Sequence, residues 1–201
     1  MFLRQQISAV PLVERPLRMM LLWVFVSTSA ISAATPTETV TISQTSSRAY
    51  IIDVTAVYDI EPRLLLSICY EPAHLRQYLP KWVTIEVLQE DETMHVLAYE
   101  GTLLFYTNRS VYQRRFDAEH EKIFFAQLES SQNIALFPNI EKSGGFYEIF
   151  RTENGVRLHY QQTTEVDREV SEKDLRRAKK QIRDYFVKLR AYINKIRPYY
   201  D

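Results

Sequence analysis

The sequence predicts an α+β fold in which an antiparallel sheet of six or seven strands packs on a long C-terminal helix. Short segments with alternating apolar residues recur from residue 49 to residue 166, as is typical of half-buried strands. An apolar stripe at three- and four-residue steps then runs from residue 171 to residue 197, which indicates one amphipathic helix. Proline-punctuated segments after the first strand predict two short helices.

The composition excludes several kinds of protein. The chain has 201 residues, of which 46% are hydrophobic and 25% charged, so a globular domain is expected rather than a disordered chain. Its 25 basic and 25 acidic residues give no net charge, which argues against a general nucleic-acid binder. The single cysteine, Cys69, excludes an intrachain disulfide and a Cys-rich metal site. It lies in an apolar run, which predicts a buried, unreactive thiol.

Residues 1–34 have the features of a secretory signal. Three arginines precede the apolar run 19–26, and small side chains lead to Ala34, after which we expect cleavage. The alternative is a membrane anchor, but a spanning helix needs roughly 20 apolar residues, and this run has about eight. The sequence therefore predicts an exported protein that is secreted or periplasmic.

The mature chain opens with one strand and two helices. Residues 35–47 are rich in Ser and Thr and lack periodicity, so we expect a flexible lead-in. Ile, Val, Thr and Tyr dominate residues 49–57, which predicts the first strand. Pro62 opens a short helix that runs through Leu64–Tyr70. A second short helix is predicted at Pro72–Leu79, because Pro80 ends it.

Six further strands are expected before the final helix. Residues 130–145, between the fourth and fifth of these, are predicted to form an irregular loop, and residues 153–155 a hairpin turn. In the last strand, alternation directs one set of side chains inward: Val156, Leu158, Tyr160, Gln162, Thr164 and Val166. The six strands are expected at residues 82–88, 94–104, 109–116, 122–128, 146–151 and 156–166.

The final helix is the clearest element of the sequence. Ser171 and Asp174 form a capping pair at its start, and Pro198 follows its end. A helix of about 27 residues is roughly 40 Å long, enough to cross a small domain. A coiled coil is the alternative, but a single stripe that follows half-buried strands favours a helix covering the open face of a sheet.

This order of elements resembles the helix-grip fold of the START-like superfamily, which includes the birch pollen allergen, polyketide cyclases and coenzyme Q-binding proteins. The resemblance covers residues 48–197 as one domain, with a short tail at 198–201. Residues 59–80 look like the first helical pair of that family. The hairpin at 146–166, which runs into the long helix, looks like the end of the family's fold. Residues 89–93 have no glycine, unlike the loop of the plant-allergen branch, so the cyclase and coenzyme Q branch is more similar.

The resemblance implies a hydrophobic cavity between the sheet and the long helix. Tyr160 and Gln162, both on the predicted inward face, require hydrogen-bond partners, which are either other core residues or a ligand. The alternative for each aromatic candidate is plain core packing. The implied function is an exported protein that binds a hydrophobic or lipid-like small molecule without a cofactor. The candidate cavity walls are Tyr99, Phe105, Phe125, Tyr160, Gln162, Tyr185 and Phe186.

An enzyme of cyclase or dehydratase type in the same cavity is the second hypothesis. The sequence has no HExxH, GxSxG, phosphate-loop or EF-hand pattern, so we predict no metal and assign no catalytic residue. Tyr160 with Glu148 or Arg114 is the pair that would supply acid–base chemistry if the side chains met.

The third hypothesis is docking through the final helix. Residues 171–197 contain ten Lys or Arg and three Asp or Glu, so the helix carries +7. Such a surface favours an anionic membrane or an acidic partner. The alternative is an ordinary solvated face. The candidate docking residues are Lys173, Arg176, Arg177, Lys179, Lys180 and Arg183.

Overall fold

The computed structural model describes residues 38–134, 137–153 and 155–200. The predicted signal, residues 1–34, lies outside the described residues, so cleavage and export stay predictions. Within the described ranges, none of the helices is both long enough and apolar enough to span a membrane.

The described residues form an α+β arrangement of strands and helices. The elements in chain order are β1 (Glu38–Ser46), β2 (Ala49–Tyr58), α1 (Pro62–Tyr70), α2 (Pro72–Tyr78), β3 (Val83–Glu90) and β4 (Met94–Leu103). They continue with β5 (Tyr106–Asp117), β6 (Lys122–Gln132), β7 (Ile140–Thr152), β8 (Gly155–Val166), α3 (Glu172–Ile196) and a 3-10 turn at Arg197–Tyr199.

One curved antiparallel sheet contains the eight described strands, in the order β1-β2-β8-β7-β6-β5-β4-β3. The first and last hairpins meet where β2 pairs with β8. Helix α3 buries Phe186, Leu189 and Ile193 in the common core. The predicted fold class, an antiparallel sheet with a long C-terminal helix and two short helices near the start, is confirmed.

The prediction of a flexible lead-in at 35–47 is wrong from Glu38 onward. Residues 38–46 form β1, which pairs with β2 along its length. The β-branched Thr, Val and Ile of this segment favour strand, and Val40 is buried in the core. With this edge strand, the sheet has eight strands among the described residues instead of the predicted six or seven. The folded domain includes residues from 38 onward, whereas the sequence predicts a start at 48.

The predicted loop at 130–145 is also mostly strand. β6 continues to Gln132 and β7 begins at Ile140. Gly144 and Gly145 weaken the local strand signal, but Gly144 is paired with Thr163 of β8 on one side and Ala126 of β6 on the other. Hydrogen bonding to two neighbours therefore outweighs the low strand propensity of these residues.

The three helices begin where the sequence predicts, and α3 has the predicted cap. α1 and α2 both begin at a proline, which fits the first turn of a helix. At the start of α3, the backbone N–H of Asp174 donates to Ser171 Oγ at 3.2 Å, and the backbone N–H of Ser171 donates to the Asp174 carboxylate at 3.1 Å. This reciprocal pair is a capping box.

Candidate ligand-binding site

Strand pairing aligns one row of residues across the whole sheet. Residues directly opposite each other in antiparallel strands share a face of the sheet, so the register of seven strand pairs fixes this row. We call it the central row. From one sheet edge to the other it contains Glu90, His95, Arg114, Phe125, Gly145, Gln162, Ile52 and Ile42.

A cavity of about 160 Å³ lies over the middle of the central row. Leu75 and Leu79 of the α2 region form one side, while Arg114 and Gln162 add polar groups. The remaining walls are aromatic: Tyr99, Tyr112, Phe125, Tyr147, Tyr160 and Tyr185.

A second space of about 260 Å³ adjoins the first along α3. Tyr147, Tyr160, Gln162 and Tyr185 border both spaces. The second space adds mostly aliphatic walls, so the site has a polar end near Arg114 and an apolar end near α3. The added walls are Tyr50, Ile52, Ile140, Ala178, Gln181 and Ile182.

Arg114 is a buried charge at the polar end of the cavity, with 3% of its surface exposed. Its Nη1 donates to the carbonyl oxygen of Tyr70 at 2.9 Å, and its Nη2 donates to that of Cys69. These carbonyls belong to the last turn of α1, where the helix leaves acceptors unpaired and carries partial negative charge. Among the described residues, no carboxylate forms an ion pair with Arg114.

Gln162 and Tyr160 form a hydrogen-bonded pair on the facing wall. The hydroxyl of Tyr160 donates to Gln162 Oε1. Gln162 Nε2 donates to Ser143 Oγ at 2.8 Å and lies 3.2 Å from Thr164 Oγ1. The two polar residues predicted on the inward face of β8 therefore have partners within the protein, while their side chains still border the cavity.

The tyrosines supply hydroxyl groups that stay protonated near neutral pH. Burial raises the pKa of Tyr99 and Tyr112 above that of an ordinary phenol, and it raises the pKa of Tyr147, Tyr160 and Tyr185 as well. A neutral phenol donates a hydrogen bond but is a poor base at pH 7. The cavity wall is therefore equipped to bind an oxygen atom rather than to remove a proton.

Five predicted wall residues border the cavity, namely Tyr99, Phe125, Tyr160, Gln162 and Tyr185. Phe186 is fully buried and packs edge-on against Tyr160, with ring centroids 5.5 Å apart, so it is a core residue beneath the wall. The prediction for Phe105 is wrong, because its side chain is 70% exposed. β4 ends at Leu103, and Leu104, with φ of 55°, turns the chain before Phe105 can enter a strand.

Sequence reasoning missed several wall residues. Tyr112, Arg114 and Tyr147 border the cavity, and the sequence pattern alone does not assign them to its wall. A signal for Arg114 exists, since it alternates with Tyr112 and Phe116 on one face of β5. A charge between two aromatic residues on one strand face is unusual for core packing and typical of a polar group placed in a pocket.

The proposed acid–base pair of Tyr160 with Glu148 is wrong. Glu148 lies on the outer face of the sheet, where its carboxylate pairs with Lys122 at 3.3 Å. Its neighbours Tyr147 and Ile149 point into the core instead, as strand alternation requires. Of the two partners considered for Tyr160, only Arg114 borders the same cavity.

The basic residues of α3 lie on its outer side and are partly neutralised. Arg176 pairs with Glu172 at 3.0 Å, Lys180 with Asp184 at 2.5 Å, and Arg177 approaches Asp174 at 3.9 Å. The remaining candidates, Lys173, Lys179 and Arg183, are exposed or half-buried. Ion pairs along a helix reduce the charge available to a partner, so docking through these residues stays a prediction.

Comparisons with known proteins identify the fold. No protein-family model matches the sequence, and no curated protein matches it. A START superfamily protein from Mycobacterium smegmatis is similar in structure, with a TM-score of 0.59 and 12% identity over 73% of this chain and 98% of that one. The ZhuI aromatase/cyclase from Streptomyces sp. R1128 matches with a TM-score of 0.54 and 12% identity over 74% of this chain and 96% of that one.

A protein from Thermus thermophilus gives a TM-score of 0.58 and 14% identity over 72% of this chain and 97% of that one. These neighbours span most of the described domain at identities too low to transfer a function. The chain therefore has the START-like helix-grip fold, and its function must be argued from its own residues.

Proposed function

We propose that this protein binds a small, largely apolar molecule that carries one acidic oxygen group. The observation that carries the proposal is Arg114, a guanidinium 3% exposed in an aromatic wall with no carboxylate partner among the described residues. The cavity offers apolar surface for rings and one charge for an oxygen group. That combination is typical of small-molecule sites.

The charge of Arg114 is only partly compensated inside the protein. Arginine stays protonated in proteins, so the cavity end is positively charged at any ordinary pH. Two carbonyl oxygens at the end of α1 accept from the guanidinium, but carbonyl dipoles do not neutralise a full charge. An anionic ligand oxygen supplies the missing complement, and a charge-assisted hydrogen bond is worth about 1.5–3 kcal/mol.

The size of the site favours a molecule of one or two rings. A cavity of about 150 Å³ is large enough for benzene, and the space beside Arg114 measures about 160 Å³. The adjoining space of about 260 Å³ extends along α3 and admits a second ring or a short chain. These volumes favour a ring compound over a two-chain lipid within the broader class of hydrophobic ligands.

The fold neighbours support this class of ligand. One of them is an aromatase/cyclase and another a START superfamily protein, so the same architecture is used in the chemistry of ring compounds. Because fold does not fix function, the proposal depends on the residues around Arg114.

The test compares two ligands of the same shape. We expect wild-type protein to bind 2-naphthoate at least about tenfold more tightly than neutral 2-naphthamide in titration calorimetry, because only the carboxylate forms an ion pair with Arg114. Arg114→Met should abolish this preference while keeping weak binding of the amide. Arg109→Met is the matched control, since Arg109 lies on the same strand but pairs with exposed Glu129 at 3.5 Å.

Equal affinity of the wild-type protein for the two ligands would overturn the proposal without the use of any variant. Native mass spectrometry of freshly purified protein is a second test. It should detect a bound acidic ring compound, and a bound neutral two-chain lipid would contradict the assignment.

An enzyme of cyclase type is the second candidate, and one observation favours it. Arg114 and Tyr99 border the same cavity, and such donors stabilise a developing enolate oxygen. However, no His, Asp or Glu is present among the cavity-lining residues, and the raised pKa of Tyr99 and Tyr160 keeps both phenols protonated at neutral pH, so neither is available as a base. Turnover of a polyketide-like diketone that falls in both Arg114→Met and Tyr99→Phe would favour this candidate over simple binding.

We also propose that the protein is exported through residues 1–34, on the sequence features of that segment. N-terminal sequencing of protein recovered from the extracytoplasmic fraction should start at Thr35. Recovery of the full-length chain in the cytoplasm would contradict export.

A further inference from the structure

A buried histidine lies beside two carboxylates at the far edge of the sheet. Glu90 and His95 are directly opposite each other in the β3–β4 pairing and form the end of the central row. Glu71 is the residue between α1 and α2. One ligand atom from each of these three side chains lies within 4.8 Å of the others. We call this set the edge cluster.

The imidazole of His95 is 3% exposed, and one of its two ring nitrogens lacks a hydrogen-bond partner among the described residues. Its Nε2 lies 3.3 Å from Glu90 Oε1, so the ring is directed toward the edge cluster. Its Nδ1 has no hydrogen-bond partner in the described part of the chain. A buried ring nitrogen without a partner costs free energy, so the described residues use only the Nε2 side of this ring, which faces Glu90.

The position of the ring is fixed by its surroundings. Tyr70 stacks on His95, with ring centroids 4.2 Å apart and planes 18° from parallel. Glu90, in contrast, keeps 57% of its side chain exposed, and Glu71 is half-buried. His95 therefore offers a nitrogen donor in a fixed position, and the carboxylates of Glu90 and Glu71 are more open to solvent. An ion can enter from solvent, and small movements of the two carboxylates are enough to enclose it.

The donor set matches one class of ion. Two carboxylates this close repel each other in a partly dehydrated place, and a divalent cation removes the repulsion. Imidazole nitrogen suits Zn²⁺ and similar transition metals, whereas Mg²⁺ and Ca²⁺ prefer oxygen ligands throughout. Three protein donors leave a coordination position for water, as in open zinc sites.

From this geometry we propose that Glu71, Glu90 and His95 form a binding site for a zinc-type divalent transition-metal ion. The site is separate from the ligand cavity, because none of its three residues borders that cavity. The ion would tie the α1–α2 junction to strands β3 and β4 at the sheet edge. The alternative is an ordinary His95–Glu90 ion pair.

The test is Zn²⁺ titration of the untagged full chain after treatment with a chelator, by calorimetry. We expect one Zn²⁺ per chain, and at least about tenfold weaker binding in both Glu90→Gln and Glu71→Gln, since each loses a ligand. Glu92→Gln is the matched control: Glu92 is exposed in the same β3–β4 turn and lies outside the edge cluster. Its affinity should equal that of wild type, and an excess of Mg²⁺ should not compete.

A second measurement avoids any variant that fails to fold. The chain has four histidines, whose ring nitrogens are resolved in long-range ¹H–¹⁵N spectra. Stoichiometric Zn²⁺ should shift the His95 ring signals and leave those of His120, an exposed residue beside Asp117, unchanged. The proposal is overturned if wild type binds no stoichiometric Zn²⁺, if both Gln variants retain wild-type affinity, or if another histidine shifts instead.

Discussion

The hydroxyl oxygens of Tyr147 and Tyr185 lie 3.2 Å apart and join the sheet to the helix that covers it. The Tyr185 hydroxyl also lies 3.3 Å from that of Tyr78. A single phenol on α3 therefore links β7 and α2 at the wall of the cavity. The tyrosines of this wall serve the structure as well as the site.

The first prediction concerns this linking phenol. Tyr185→Phe should lower the free energy of unfolding by about 1–3 kcal/mol, because two buried hydroxyls lose a hydrogen-bond partner. Urea denaturation measures the change. Tyr199→Phe is the control and should be neutral, since Tyr199 is 82% exposed. A loss below about 0.5 kcal/mol for Tyr185→Phe would show that water replaces the missing partner.

The second prediction concerns the close approach of β7 to β8 at Gly145. A Cβ atom at this position would lie 1.9 Å from the carbonyl oxygen of Gln161 and 2.9 Å from the Cα atom of Gln162. Both obstacles are backbone, so no side chain can move aside. Gly145→Ala should cost about 3 kcal/mol or more, or prevent folding.

Gly144→Ala is the matched comparison for Gly145→Ala. Its Cβ atom would lie 3.1 Å from the Phe125 carbonyl oxygen, a contact that small shifts relieve. Thermal unfolding should therefore show a much smaller loss of stability for Gly144→Ala. A larger loss at Gly144 than at Gly145 would contradict the close approach of the two strands.

Elements with a strong local signal are predictable from this sequence. The stripe of α3 and its Ser171–Asp174 capping box are local features, and the structure confirms both. β1 has a weaker signal: its Thr, Val and Ile favour strand, but most of its residues are polar and exposed at a sheet edge. Its strand conformation depends on pairing with β2, which a window of neighbouring residues does not contain.

The same distinction applies to the site. Tyr160 and Gln162 follow from alternation within one strand, whereas Arg114 is positioned by carbonyl groups 44 and 45 residues away in sequence. The edge cluster likewise joins the α1–α2 junction to a distant hairpin. Phe105 was misplaced because a shift of one or two residues at a strand end converts a wall residue into a turn residue.

The third prediction concerns Cys69. Its side chain is fully buried, and burial raises the pKa of the thiol to about 12. The thiolate is the reactive form, so native protein should not react with a disulfide reagent such as DTNB at pH 8 within minutes. One equivalent should react in denaturing urea. In a Cys69→Ala background, Ser43→Cys places a thiol at an exposed position and should react at once. Fast native reaction at Cys69 would mean that α1 opens readily.

The fourth prediction is a pH dependence at the start of α3. The hydrogen bond from the Ser171 hydroxyl, at 2.6 Å, holds the pKa of Asp174 below its usual value, and the Ser171 backbone N–H adds to the effect. A carboxylate whose pKa is lower in the folded chain stabilises the fold fully above its unfolded pKa of about 3.9. That stabilisation is lost as the pH falls through the lower, folded pKa.

Asp174→Asn should therefore cost about 0.5–1 kcal/mol at pH 7, a capping-sized effect that solvent exposure keeps small. The difference from wild type should narrow below about pH 4, where the wild-type carboxyl becomes protonated as well. Urea denaturation at several pH values measures both effects. Glu169→Gln changes an exposed carboxyl just before the cap and serves as the control. If the curves of wild type and the Asp174→Asn variant stay parallel down to about pH 3, the carboxylate is not the group that caps the helix, and the cap depends on the Ser171 hydroxyl alone.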